Sequence, residues 1–542
     1  MSKRPYHRES GISACLIVSV VVIYSAEALR DVSPSTPVNL DRIRSLYHAL
    51  TKSEVRYLKT YLKAFHVKGV NRALQLIEQL EKHPDWGNAE MAQRLYGDPR
   101  SKAFIMLKHR LAERMMETMT LSVNLQNNPT VKEDPAQMAI ISMQKMLSHA
   151  ILLRTRGLYE QARDQLQKAL QLAREHGNPE IEVQCLAHLC NLATSLDEVH
   201  DLYRPHTMRA LEAYRTDLIG LGIMTEYRLL GRADRLQEDE SVAETLAEQA
   251  LVLEDRIAHH YTLRGHMYLL MLRAQVHQLR NEYEACRKVV HERLNLFQAH
   301  PGLCSKYRMG AIYLQLSDVE TRCLQFEEGA KAAEQARDCF LPSKPSYFKA
   351  SIILLFASLY RGDLARVQAV IEELRQYEHL PHAQRMLPVV AYLEACWHYL
   401  SGDPRAALHL LMEDKVLTQD KSGWNVGQRI FEILILVEQG EVELADSKVE
   451  TLRKHVARYG TDMRNELIFK VLYRSARACF EPTQLQARLA ELQSELAGTQ
   501  WVALSHEVIR FETWLTCLAQ QVPYLPQMRA ELAAARQARQ GL

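Results

Sequence analysis

Residues 156–162 read Arg-Gly-Leu-Tyr-Glu-Gln-Ala, and this short stretch decides the fold. A helix is expected to end near Gly157, where a tight turn follows. The next helix has an apolar residue at every third or fourth place, as at Leu166 and Ala169. Small Ala162 and Ala169 share one face of that helix, where a neighbouring helix can approach closely. The stretch therefore predicts a helix–turn–helix.

The same pattern recurs along the chain at a nearly constant interval. Further turn signals stand at positions 281, 324, 362, 402, 440 and 480, which are 38 to 43 residues apart. The 124 residues between positions 157 and 281 hold three intervals of about 41, and so predict two more turns, near Leu196-Asp197 and near Glu238. Because one helical hairpin cannot bury its apolar stripe alone, we expect the hairpins to stack on one another.

The repeat resembles a known family. A Gly-Asp or Asn-aromatic turn, then Ala three positions on and another small residue seven later, is similar to the tetratricopeptide repeat. The resemblance covers about Gln137 to Leu496. The period of roughly 40 exceeds the family's 34, as in the long-repeat tetratricopeptide proteins of bacterial regulatory systems, and most copies lack the aromatic residue early in the first helix. The resemblance implies an all-α, right-handed superhelical solenoid of about eight to nine helix–turn–helix repeats.

The resemblance also implies a function. In that family the first helix of each pair lines a concave groove, so we expect a non-enzymatic scaffold or adaptor that binds a protein or peptide there. The residues that family geometry would turn towards the groove are Gln144, Arg154, Gln275, Gln278, Asp318, Thr321, Tyr392 and Tyr399. Each of them also fits an ordinary solvated or packing position.

The domain boundaries follow from where the repeat begins and ends. We expect an N-terminal helical domain, a linker marked by Asn127-Asn128-Pro129 and Pro135, the solenoid, and capping helices at the C-terminus. The corresponding ranges are 1–37 for a signal-like extension, 38–125, 126–136, 137–496 and 497–542.

The N-terminal domain suggests an alternative function. Its Thr51-Lys52-Ser53-Glu54 is a capping box that opens a helix through Ala64, and further helices are predicted over 70–82, over 88–95 and up to Leu121. A break at Gly97 and the cations that follow it loosely resemble a helix-turn-helix, which suggests a regulator whose N-terminal domain binds DNA or an effector. The break is longer than the usual turn, and a capping or dimerising bundle is the other interpretation. The cations are Arg100, Lys102, Lys108 and Arg110.

The first residues bear on localisation. Three cations precede an apolar run over 12–24 and the small residues of Ala26-Glu27-Ala28, which is the layout of a secretory signal. The run is shorter than the roughly 20 residues of a membrane-spanning helix. A cleaved signal, a weak membrane anchor and a misplaced start codon all remain open. We expect a cytoplasmic protein, with export or anchoring through 12–24 as the alternative.

Motifs for catalysis or metal binding are missing from the sequence. It has no phosphate loop, dinucleotide fingerprint or nucleophile elbow, so no enzyme activity, cofactor or small-molecule substrate is expected. His291-Glu292 and His506-Glu507 begin like a zinc-protease motif, but Asn295 and Arg510 stand where the second histidine belongs, which favours solvated histidines and no metal. The net charge of +2 argues against nucleic-acid binding by the whole chain and leaves a local basic patch open.

Overall fold

The structure is a computed structural model of the 542-residue chain. It describes residues 40–64, 71–121, 135–230, 240–303, 305–412, 420–477, 481–496, 499 and 501–540. These residues form helices and their connections, with no strand among them, which confirms the predicted all-α class. The chain divides into two compact units, Met1–Lys132 and Glu133–Leu542. The signal-like residues 1–37 lie outside the described part.

The first unit is a small helical bundle. Its capping box is confirmed, because the Thr51 amide donates to Glu54 Oε2 at 2.7 Å and the Glu54 amide donates to Thr51 Oγ1 at 3.3 Å. Its core is built on apolar side chains that include Leu58, Leu76 and Met115. The helices are α1 Leu40–Ala49, α2 Lys52–Ala64, α3 Arg72–Lys82, α4 Asn88–Tyr96 and α5 Lys102–Leu121.

The second unit is a helical-repeat array in which each helix packs on the next along the chain. A short 3-10 turn, Pro301–Leu303, follows α12, and a π-helical turn, Glu198–Tyr203, leads into α9. The helices are α6 Pro135–Thr155, α7 Tyr159–Glu175, α8 Pro179–Cys190, α9 Arg204–Leu230, α10 Glu240–His259, α11 Leu263–Leu279, α12 Tyr283–Ala299, α13 Lys306–Arg322, α14 Phe326–Cys339, α15 Pro345–Arg361, α16 Leu364–Arg375, α17 Pro381–Leu400, α18 Pro404–Met412, α19 Trp424–Glu438, α20 Val442–Tyr459, α21 Met463–Arg477, α22 Pro482–Leu496, α23 Phe511–Gln520 and α24 Tyr524–Gln540.

Six of the turns predicted from the sequence carry a left-handed residue at the expected position. Gly362 shows how such a turn works: its φ of 74° ends α15, and its amide donates to the Leu359 and Ser358 carbonyls. Asp363 then accepts a hydrogen bond from the Arg366 amide at 3.2 Å and caps α16. The Gly-Asp pair thus ends one helix and starts the next. The six positive-φ residues are Gly157, Asn281, Leu324, Gly362, Gly402 and Gly440.

Small residues let the two helices of a hairpin approach each other, as the sequence predicts. A Cβ added at Gly329 of α14 would lie 2.4 Å from Thr321 Oγ1 of α13, so only glycine fits there. Ala333 is fully buried in the same hairpin, and Ala162 and Ala445 are fully buried in two others. From Leu324 onward the buried side chains form one continuous hydrophobic cluster, which is how stacked hairpins bury a shared core.

The regular repeat is interrupted between α8 and α11. The predicted turn near Leu196-Asp197 is replaced by a loop at 191–195, and the one near Glu238 lies outside the described residues. Between these two places α9 runs as one long helix, which packs on α8 and also on α10 and α11. Gly220 stays inside it, where an added Cβ would meet the Tyr268 ring at 2.8 Å. With α9 counted in two pairs, the described helices α6 to α22 form nine helix pairs, and α23 with α24 is a tenth at the C-terminus.

Candidate binding surface

The eight residues predicted to face the groove differ in exposure. Gln144 on α6 is exposed. Thr321, Tyr392 and Tyr399 are buried. The other four are half-buried, namely Arg154, Gln275, Gln278 and Asp318.

Thr321 does not face a groove, so its prediction is wrong. The side chain is 0% exposed and its hydroxyl donates to the Ser317 carbonyl at 2.7 Å within α13. It packs against Gly329 on the second helix of its own hairpin. Thr321 therefore belongs to the packing inside a hairpin.

Tyr392 and Tyr399 lie on the first helix of a hairpin, as expected, but the prediction that an open groove exposes them is wrong. Tyr392 is 3% exposed, and its hydroxyl donates to the His506 carbonyl at 2.8 Å. Tyr399 is 8% exposed, and its ring packs edge-on against Tyr524, with centroids 5.8 Å apart. The chain's own C-terminal residues cover both tyrosines.

We call Thr499 and residues 501–510 the inner segment. We call the first helices of the five hairpins before the C-terminal one (α13, α15, α17, α19 and α21) the inner helices. The inner segment contacts every inner helix. The contacting residues, from α13 to α21, are Arg322, Tyr360, Tyr392, Gly427 and Arg464.

Side chains of the inner helices hold the backbone of the inner segment. Arg322 donates to the Ala503 carbonyl at 3.3 Å, and Arg464 donates to the Thr499 carbonyl at 2.8 Å. With the bond from Tyr392 to the His506 carbonyl, three of these helices recognise peptide groups. Carbonyl groups occur in any peptide, so contacts of this kind suit an extended chain of varied sequence.

Asp318 acts on the inner segment through Arg322. Its carboxylate accepts a bond from Arg322 Nε at 3.1 Å, and this holds the guanidinium that reaches Ala503. Burial raises the pKa of the Asp318 carboxyl, and the charge of Arg322 opposes the rise. Asp318 is thus engaged within the chain.

A buried ionic cluster fixes the inner segment to α21. Arg464 Nη2 lies 2.9 Å from Glu507 Oε1 and 2.6 Å from Glu512 Oε2, and all three side chains are mostly buried. Burial alone would lower the pKa of the Arg464 guanidinium, but its bonds with Glu507 and Glu512 raise it above the usual value. Glu507 also accepts the Phe511 amide at 2.9 Å, which ties the cluster to the start of α23.

His506 is a structural histidine and not a solvated one as predicted. Its side chain is 17% exposed, and its Nε2 lies 2.7 Å from the Asn465 amide nitrogen. Burial lowers its pKa, against the influence of Asp462 and Asp420. The His506-Glu507 pair that begins like a zinc motif therefore serves to anchor the inner segment.

The C-terminal hairpin, α23 with α24, belongs to the hydrophobic core. Trp514 is 1% exposed, and Phe511, Leu515 and Met528 are equally buried. They join the same continuous cluster as the inner helices. Burying one large apolar side chain contributes roughly 1.5–3 kcal/mol to the free energy of folding. This hairpin and the inner segment before it are therefore stably packed in the folded protein.

The contacts of the inner segment described above do not extend to the earlier hairpins, where four of the predicted residues lie, and α6 packs against the 3-10 turn Pro301–Leu303. Arg154 on α6 is close enough to His188 on α8 to help lower the pKa of that histidine, after the larger effect of burial. Gln275 on α11 accepts a hydrogen bond from the Tyr227 hydroxyl of α9 at 2.6 Å. Gln144 and Gln278 complete the set, and their role in binding stays a prediction.

One candidate DNA contact in the first unit is buried. Lys108 is 6% exposed, its Nζ lies 2.6 Å from Asn88 Oδ1, and it sits over the Phe104 ring. Burial lowers its pKa. Lys102 and Arg110 remain exposed on α5, and Arg100 precedes the helix. Lys108 therefore packs inside the bundle, and its predicted contact with a phosphate group is wrong.

The described residues contain no group of three or more His, Cys, Asp and Glu side chains arranged to hold a metal ion. Among the described helices, none is both long enough and apolar enough to cross a bilayer.

Together the helices and their contacts define the class of this chain as a helical-repeat protein with an internally covered C-terminal half. No family model and no curated protein matches it. A crystal structure of a Rap protein complexed with competence and sporulation factor aligns over 72% of this chain and 98% of its own length, with 13% identity and a TM-score of 0.36. That score describes a loose likeness, and the fold stated above rests on this chain's own helices.

Proposed function

We propose that this protein is a non-enzymatic scaffold that binds a protein or peptide along the first helices of its solenoid. The observation that supports this is the way the inner helices hold the inner segment. Arg322, Tyr392 and Arg464 each donate to a backbone carbonyl of that segment. The solenoid therefore already holds one non-helical stretch of polypeptide across its helices, through contacts that a separate peptide would also offer.

The partner is expected on the earlier hairpins. The inner segment covers the inner helices. It is anchored by the ionic cluster around Arg464, and the C-terminal hairpin that follows it belongs to the hydrophobic core. The first helices of the earlier hairpins present Gln144, Arg154, Gln275 and Gln278 at exposed or half-buried positions. Amide and guanidinium groups are suited to the same backbone recognition.

The experiment is a selection of peptides from a random library on the full-length protein, followed by hydrogen exchange of the complex. Binding should slow exchange in α6, α8 and α11. Gln144→Ala should weaken binding, while Gln171→Ala on α7, a matched exposed glutamine on the second helix of the same hairpin, should leave it unchanged. Protection confined to α7, α10 and α12, or equal loss in both variants, would contradict the proposal.

A further inference from the structure

A second surface feature lies where the C-terminal hairpin meets the turns of the solenoid. A cleft of about 630 Å³ opens between the α17–α18 turn, the end of α19 and the α23–α24 turn. Most of its wall is apolar. The residues of that wall include Leu400, Pro404, Leu518, Val522, Pro523 and Leu525.

One carboxylate, Glu438, lines this cleft and has no basic partner. Among the described residues no Lys, Arg or His lies within ion-pair distance of it, although most other carboxylates on the inner helices have one, such as Glu432 beside Lys448 at 2.6 Å. Its polar neighbours are neutral: the Tyr399 hydroxyl donates to it at 2.6 Å, and the Trp514 indole also stabilises its ionised form. Its negative charge is therefore left without a counter-ion.

Helix ends of both kinds lie around the cleft. α17, α19 and α23 end there, whereas α18 begins at Pro404 and α24 begins at Tyr524. The partial negative and positive charges of these ends therefore largely offset one another. The exclusion of water by the surrounding atoms raises the pKa of the Glu438 carboxyl, and the Tyr399 hydroxyl and the Trp514 indole oppose the rise. A cation placed here would be favoured by the carboxylate.

We propose that this cleft binds a lysine or arginine side chain of a peptide partner, with its aliphatic stem on the apolar wall and its charged head on Glu438. This rests on the proposed function, since the occupant belongs to the partner of the scaffold. Long basic side chains bury their stems against apolar surface while the head keeps a polar partner, which is the combination this cleft offers.

A neighbouring cleft differs in its charge. The next cleft along α24, of about 610 Å³, is lined by Arg361, Arg529 and Arg536 together with the carboxylates Glu327 and Asp363. Cationic side chains outnumber carboxylates there, whereas Glu438 is the one charged residue among the described residues that line its own cleft. A basic residue of a docked peptide is therefore favoured at the Glu438 cleft.

The test uses the full-length protein and the peptide acetyl-Leu-Lys-Leu-amide, with ligand-observed NMR to measure affinity. Replacing lysine by norleucine in the peptide, or Glu438→Gln in the protein, should weaken binding about tenfold, the usual effect of losing a hydrogen bond to a charged group. Glu438→Gln keeps the shape and the acceptor for Tyr399. Glu441→Gln, three residues away, exposed and outside the cleft, is the matched control and should bind like the wild type.

A second variant separates loss of binding from misfolding. Val522 is exposed on the wall of the cleft, so Val522→Lys should preserve the fold. The new lysine should place its own cation near Glu438 and prevent the peptide from binding. Equal binding by wild type and Glu438→Gln, or preference for the norleucine peptide, overturns the proposal. The proposal is also overturned if n-hexylammonium binds in a Glu438-dependent way while the lysine peptide does not bind, because the occupant of the cleft would then be a small free amine. Library peptides that protect α6, α8 and α11 would uphold the scaffold function in any of these cases.

Discussion

Replacing Arg464 with methionine should release the inner segment from α21. The guanidinium is shared by Glu507 and Glu512 and also reaches the Thr499 carbonyl, so one substitution removes every one of these contacts. Glu507 is 7% exposed and would be left as a buried carboxylate without its cation. Removing one partner of such a buried pair costs about 3–5 kcal/mol. Methionine keeps most of the volume, so a cavity adds little to that figure.

The assay is native-state hydrogen exchange on the full-length protein, because a chain of two compact units is not expected to unfold in one step. The reporters are the Arg510 and Phe511 amides, which donate to the Tyr524 hydroxyl and to Glu507. If about 3–5 kcal/mol of local stability is lost, their exchange should accelerate by about two to four orders of magnitude. Arg453→Met on α20, which removes an exposed ion pair with Glu450, is the control and should change exchange little.

A triple variant separates charge from packing. Adding Glu507→Gln and Glu512→Gln to Arg464→Met removes the carboxylates that have lost their cation. The triple variant should therefore regain part of the lost protection from hydrogen exchange. Exchange in Arg464→Met that matches the wild type, or a triple variant that exchanges faster than the single one, would refute the view that this ionic cluster holds the inner segment.

Three further predictions concern stability. Asp217, whose Oδ2 is buried without a partner, has its pKa raised by burial from 3.8 to about 6, so its ionisation costs stability as pH rises through about 6. Asp217→Asn should therefore raise the local free energy of unfolding around α9 and α11 by up to about 3 kcal/mol at pH 8 and have no such effect at pH 3. Native-state hydrogen exchange of the variant and the wild type, compared at each pH, would show this. Gly220→Ala should destabilise by about 1–3 kcal/mol because the new Cβ meets Tyr268, whereas Gly222→Ala, with open space around it, should stabilise α9 by about 0.5–1 kcal/mol; melting temperatures that shift alike in both would contradict this. Tyr392→Phe should cost about 1 kcal/mol of local stability at 506–511 by removing the hydroxyl bond to His506, and unchanged exchange of those amides would exclude that bond.

The solenoid turns could be predicted because their signals are local. A helix that must end and restart within a few residues needs a left-handed residue and a cap, and Gly362 with Asp363 supplies both within two positions. Between the turns predicted near 196 and 238, α9 runs as one helix where the repeat would have two, and Gly220 lies inside that helix. A glycine alone does not break a helix, and here it serves close packing against Tyr268.

The covering of the inner helices could not be predicted from the sequence, because it depends on contacts between distant positions. Tyr392 and His506 are 114 residues apart, and Arg322 and Ala503 are 181 apart. Spacing arguments correctly placed Tyr392 and Tyr399 on first helices, but they do not reveal which segment returns to cover them. Trp501 and the apolar residues that follow it, beyond the last repeat, were the available signal of a segment that needs burial.

The most direct test of the account is a photo-cross-link from the inner segment. The Trp501 ring lies edge-on to Tyr360 of α15, with ring centroids 5.4 Å apart, so p-benzoylphenylalanine at position 501 brings a photoreactive carbonyl within reach of α15. After irradiation of the full-length protein, mass spectrometry should find residue 501 joined within the same molecule to peptides of α15. Cross-links only to the second helices α16 and α18, or only between molecules, would contradict the claim that the inner segment fills the inner side of the solenoid.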